Sequence, residues 1–198
     1  MRPVAGKIDR RRFLEYGLAG GALVAGLPFS MGAASEARAG ALDARLSRSL
    51  ESSPLAYISP IQSDGSESQC HAEVWYAWLR GSVVVTVAAA GWKAQSISQG
   101  LDRARLWVGD YGRWKGVLGN NEKFRAGPSF LARAEVAKDA GLIEQLLAVY
   151  DKKYPAEIAN WSDRMRSGAR DGSRVLIRYT PLGPLGGPQE GKARSSSG

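Results

Sequence analysis

The sequence predicts a mainly β domain of the α+β class, a small antiparallel barrel of six strands trimmed by short helices. Three observations predict it. Runs of β-branched and aromatic residues recur six times between residues 55 and 180. Turn signals, Asp64-Gly65 and Arg80-Gly81, separate the first three runs. A helical stripe is clear in only one later stretch, where Leu142, Ile143, Leu146, Leu147 and Tyr150 recur at helix spacing.

Taken in order, Leu42, Leu46 and Leu50 with polar residues between them predict a short amphipathic helix that ends before Pro54. Leu55 to Ile61 reads as the first strand and Gln69 to Leu79 as a long second one. Ser82 to Ala88, SVVVTVA, is the most β-branched run of the chain and forms the third. Gly91 to Gly100 carries a short helix, closed by a glycine at its C-terminal end. Arg103 to Asp110 is the fourth strand, Ser129 to Ala137 the fifth and Ser173 to Thr180 the sixth. Between the last two lies the striped helix, with Asp139 as its expected N-cap and Lys152-Lys153 before Pro155 at its end. Ala156 to Met165 suggests a further short helix bearing Trp161, and residues 183–198 lack apolar periodicity and read as a disordered tail.

The 198 residues are 44% hydrophobic and 23% charged, which suits one globular domain. A single cysteine, Cys70, and a single histidine, His71, exclude an intramolecular disulfide framework and give no basis for a metal site. Cys70 reads as an inert, partly buried thiol. The formal charge of +8 favours anionic partners. Arg and Lys are scattered rather than gathered in a stripe, and nucleic acid is not the expected partner.

The opening DRRRFLEYGLAGGALVAGLPFS places Arg10, Arg11 and Arg12 before Phe13-Leu14 and a weakly apolar, glycine-rich run. It resembles a twin-arginine export signal, with Ala37-Arg38-Ala39 as a small-x-small cleavage site before Gly40. The expected division is a signal peptide over 1–39, a barrel domain over 40–182 and the tail. Removing the segment's six Lys+Arg and three Asp+Glu from the totals of 27 and 19 leaves +5. Export through the twin-arginine translocation machinery would place the protein in the periplasm or otherwise outside the cytoplasm. Signals of this kind serve proteins that fold before export, often with a cofactor bound.

The order of elements, with Tyr57-Ile58-Ser59, Glu73-Val74-Trp75-Tyr76, Val84-Val85-Thr86, Trp92-Lys93, Leu106-Trp107-Val108 and Arg174 to Pro181, resembles the flavin-binding split β-barrel proteins. These are the pyridoxamine 5′-phosphate oxidase-like proteins and the related deazaflavin-dependent reductases. The resemblance spans about residues 42 to 182 and lies in order and spacing rather than in any one motif. It implies a Greek-key split barrel, a homodimer, and hydride transfer through FMN or a deazaflavin coenzyme to a small molecule. No histidine follows His71, so the Arg-x-His group that holds pyridoxal phosphate in the vitamin oxidases is missing here.

By the same resemblance, Thr86 and Lys93 stand where the flavin phosphate is held, by a strand hydroxyl and a basic residue at the start of the next helix. A lysine in that first turn adds a full charge to the partial positive charge of the helix end. Trp92 and Trp114 lie beside glycines and charges and are candidates to line a pocket, whereas Trp75, Trp78 and Trp107 read as core. Arg113, Lys115, Lys123 and Arg125 flank Trp114, as solvated loop charges or as attractants for a phosphate or carboxylate. His71 shares a strand face with Glu73 and Trp75 and is the candidate proton donor. The same residues admit a second class of function: a carrier of flavin or haem without turnover, with His71 as the one histidine that could ligate iron.

Overall fold

A computed structural model describes residues 43–116 and 119–183. The signal-like segment and the tail from residue 184 lie outside the described residues. The first helix, α1, covers residues 43–52. Then come β1 (Leu55–Pro60), β2 (Ala72–Val74), β3 (Ala77–Leu79), β4 (Ser82–Ala88), α2 (Trp92–Ser98) and β5 (Arg103–Gly109). A two-stranded ribbon, β6 (Lys115–Gly116) and β7 (Gly119–Asn120), leads to a 3-10 turn at Lys123–Ala126. Among the described residues there follow β8 (Ser129–Ala137), α3 (Leu142–Lys153), α4 (Pro155–Ile158), α5 (Ser162–Asp171) and β9 (Arg174–Pro181).

Seven strands form one antiparallel sheet in the order β2-β1-β5-β8-β9-β4-β3, against the six expected. The extra strand arises because the expected run Gln69 to Leu79 breaks at Trp75-Tyr76. Its first part pairs with β1 and its second with β4, so the two outer strands of the sheet are separated by two residues. Such a link spans at most about 11 Å, and the sheet must curl until its edges nearly meet. Counting β2 and β3 as one bent strand, the first three strands are joined as hairpins and β5 returns beside β1, a Greek key.

The inside of the curled sheet is filled. Alternate residues Ala56 and Ile58, Val83, Val85 and Val87, Ala104, Leu106 and Val108, Phe130, Ala132 and Ala134, and Ile177 and Tyr179 make one cluster. The two-residue period puts each set on one face. Leu46 and Leu50 of α1 join this cluster, as do Ala94 and Ile97 of α2. A second cluster lies on the outer face, where Leu142, Leu146, Leu147 and Tyr150 of α3 pack with Ile158, Met165, Val84 and Leu176. A third is small: Tyr57, Trp107 and Phe124 outside β1 and β5. With the interior packed, a ligand has only the outer surface to bind.

Asp139 does not cap α3. The N-cap is Gly141 in the left-handed region (φ 79°), and the Asp139 carboxylate accepts instead from Arg178 of β9 at 2.8 Å. The expected helix at Ala156 to Met165 is two helices, α4 and α5, with Trp161 exposed between them. Cys70 is exposed rather than partly buried. Among the described residues no helix is long and apolar enough to cross a membrane.

Candidate functional site

Two sets of predicted residues fall in different places. Thr86 lies on β4 between the inward-facing Val85 and Val87, so its side chain points out of the barrel. There the Arg174 guanidinium donates from Nε to Thr86 Oγ1 at 3.2 Å and from Nη2 to its carbonyl oxygen at 3.1 Å. After Ala88 the chain turns through Gly91 into α2, whose first two residues are Trp92 and Lys93. Trp92 is thus helical, and 40% exposed.

Lys93 is half-buried, with Nζ 4.7 Å from the centre of the Trp92 ring. Burial holds its pKa below the usual lysine value. It lines a narrow crevice of about 10 Å³ with Pro60, Leu101, Arg103 and Tyr179. Among the described residues no carboxylate pairs with Lys93. A hydroxyl, an ammonium and a guanidinium, none of them matched to an acid, are the donor types a phosphate requires. These residues therefore suit a phosphate-bearing group in kind, although among the described residues no contact joins Thr86 to Lys93.

His71 sits just before β2 and is only 6% exposed. Its ring meets Trp114 and Phe124 edge-on, at centroid distances of 5.4 and 5.5 Å. Arg125 Nη2 lies 3.1 Å from Nε2. A guanidinium only donates, so Nε2 accepts and the ring proton belongs on Nδ1. That Nδ1 is buried without a hydrogen-bond partner. Burial holds the imidazole pKa below its usual value, with the Arg125 charge acting the same way and Glu122 and Glu67 opposing both. The Glu122 carboxylate lies 3.8 Å from Nε2.

The expected shared face of His71, Glu73 and Trp75 is interrupted. Glu73 accepts a short hydrogen bond from the Trp114 backbone N–H, on the His71 side. Trp75 stands in the strand break and stacks on Tyr154 at 4.6 Å. Around His71 the structure gathers an ion-pair network that the sequence does not announce. Arg125 joins Glu122 (2.5 Å) and Glu67 (3.0 Å), and Glu67 also accepts from Arg105. Arg125, one of the loop cations singled out beside Trp114, is thus matched to carboxylates rather than free for a ligand. Trp107 is buried, as its place inside a strand predicted.

No protein-family model matches the chain, and no curated protein does. Solved structures do match in outline. HutZ, a heme storage protein from Vibrio cholerae, is 12% identical over 72% of this chain and 91% of its own, with a TM-score of 0.47. The conserved hypothetical protein Rv2991 from Mycobacterium tuberculosis is 20% identical over 78% and 93%, with a TM-score of 0.46. A FAD-binding protein from Mesorhizobium loti is 14% identical over 69% and 87%, with a TM-score of 0.43. These are likenesses of coarse strand arrangement.

Proposed function

We propose that the protein is an exported flavin-type oxidoreductase, binding FMN or, alternatively, a deazaflavin coenzyme on the outside of its barrel, as a homodimer. One observation carries the reading: Lys93, a half-buried lysine that no carboxylate among the described residues neutralises, stands beside the exposed Trp92 at the start of the helix that follows Thr86. Lys93 and the Thr86 hydroxyl would hold the phosphate, and the Trp92 ring would wall the aromatic system. The bound ring supplies two-electron hydride chemistry, and the protein contributes anchoring, orientation and exclusion of water. The packed barrel interior directs the ligand to the outer surface. His71, enclosed by Trp114, Phe124 and Arg125, stands apart from these residues, and no contact among the described residues joins it to Lys93 or Thr86.

The test is the absorption spectrum and mass of the small molecule released from natively purified protein, followed by Lys93→Ala. Loss of one charge-assisted hydrogen bond is worth about 1.5–3 kcal/mol, so flavin affinity should fall roughly 10- to 100-fold with the unfolding midpoint unchanged. Unaltered affinity removes Lys93 from the site. Protein that neither carries nor takes up a flavin or deazaflavin ends the reading, and a bound flavin without turnover makes the protein a carrier.

A further inference from the structure

On the helical side of the barrel the start of α3 and the end of α5 splay over β9 and leave a groove of about 670 Å³, with neither Lys93 nor Trp92 in its lining. That is the size of a site for a small organic ligand. Ile143, Ala169, Val175 and Leu176 supply apolar lining. The charged residues around it are Lys138, Arg166, Arg170 and Arg174 against Asp139 and Glu144.

Both acids are already engaged. Glu144 accepts from Arg166 through both oxygens, at 2.8 and 3.1 Å, and Asp139 accepts from Arg178. Neither Arg170 nor Arg174 makes an ion-pair contact with an acid among the described residues, and the Arg170 charge reaches Glu144 and Asp171 only at longer range. Arg166 and Arg170 are one helical turn apart on α5, and Arg174 follows the left-handed Gly172 that ends the helix, so the three line one wall. Arg174 is held there by its stem. A Cβ on Gly168 would lie 2.6 Å from Arg174 Cγ and 2.8 Å from Cδ, so the absence of a side chain at Gly168 lets the arginine cross α5. Two of its nitrogens bond Thr86, and Nη1 has no partner among the described residues. A half-buried guanidinium without an acid is kept at a cost in desolvation that a bound anion would offset. The N-terminal end of the twelve-residue α3, which reaches the groove at Gly141 and Ile143, adds a partial positive charge there.

We propose that this groove binds a small organic phosphate monoester, its phosphate between Arg170 and Arg174 and its apolar group on Ile143 and Leu176. Two guanidiniums with no acid in direct contact suit a dianion, and the apolar lining suits an ester group rather than bare phosphate. The groove shares neither Lys93 nor Trp92 with the flavin reading, and the two meet only at Thr86, which Arg174 bonds, so Lys93→Ala and Arg170→Ser tell them apart.

The experiment is a titration of the whole protein with phenyl phosphate, followed through the amide and arginine Nε–H signals by NMR. Saturable shifts at Arg170, Arg174 and Gly141 are expected, with a Kd below about 10 mM. Inorganic phosphate should bind at least several-fold more weakly. Arg170→Ser removes an exposed side chain that makes no hydrogen bond or ion pair among the described residues, and should weaken phenyl phosphate by about 10-fold without loss of fold. Gly168→Ala, which displaces the Arg174 stem, should weaken it as well. Lys93→Ala should leave it unchanged while flavin affinity falls. The proposal is overturned by an absence of saturable shifts, by equal affinity for inorganic phosphate, by indifference to Arg170→Ser, or by sensitivity to Lys93→Ala.

Discussion

Burial decides the charge state at His71. Enclosed by two aromatic rings and facing Arg125, the imidazole has a lower pKa in the folded protein than its ordinary value of 6.5. The unfolded chain therefore takes up a proton first as pH falls. The stability that the neutral ring contributes is complete above 6.5 and is lost progressively below it, down to the folded-state pKa. Urea midpoints at pH 7.5 and 5.5 check this: the wild-type protein should lose stability over that interval, and His71→Gln should lose less. An equal loss in the variant would assign the pH dependence to other groups.

The same residue shows why part of the site was hidden in the sequence. His71 itself stood out as the only imidazole, and Arg125 as one of several loop cations. Their partners Glu67 and Glu122, and Arg105, which pairs with Glu67, are separated in sequence from them by up to 58 positions, where nothing in local spacing marks them as neighbours. Thr86 was legible as a strand hydroxyl. Its arginine partner, 88 positions later, was not.

Among the elements, β4 and β8 match the expected bounds to the residue, because both are long runs of β-branched or alternating residues in the middle of the sheet. The break between β2 and β3 was not legible, since apolar and aromatic side chains continue through it and only the pairing partner changes. What secures that seam is the Tyr154 hydroxyl, which joins α3 to α4. It donates to the Pro54 carbonyl at 2.7 Å and accepts from the Tyr76 N–H at 3.1 Å. Burial pushes its pKa up to about 12, so the hydroxyl keeps its proton at neutral pH. Tyr154→Phe leaves both backbone groups without this partner and should cost about 1–3 kcal/mol, with faster hydrogen exchange at the Tyr76 amide. The first helix belongs to the same end of the barrel. Leu50 is fully buried, and the Tyr76 hydroxyl lies 2.9 Å from the carbonyls of Ser49 and Leu50. Leu50→Ala should destabilise by about 2–5 kcal/mol, readable from the urea midpoint.

For the molecule as a whole, the barrel follows from alternation along its strands and from turn residues, both local properties of the chain. The groove under α5 does not. That helix is polar, with only Met165 and Gly168 buried, and its position depends on the close approach of Gly168 to Arg174. The proposed export is likewise a whole-chain property. Replacing Arg10 and Arg11 together with lysine should leave uncleaved precursor in the cytoplasm, measured by fractionation and mass. Normal export of that variant would remove the twin-arginine reading.

The place of β9 between β8 and β4 sets the order in which the chain can fold. Neither neighbour pairs with the other, and both wait for a strand that begins at Arg174. Until that strand emerges from the ribosome, at roughly 5–20 residues per second, the nascent chain can hold only two partial sheets with open edges. The last strand is the zip that joins them. A chain cut short before residue 174 should be degraded or aggregate rather than persist as a partial barrel, and folding should be governed by this late, long-range closure.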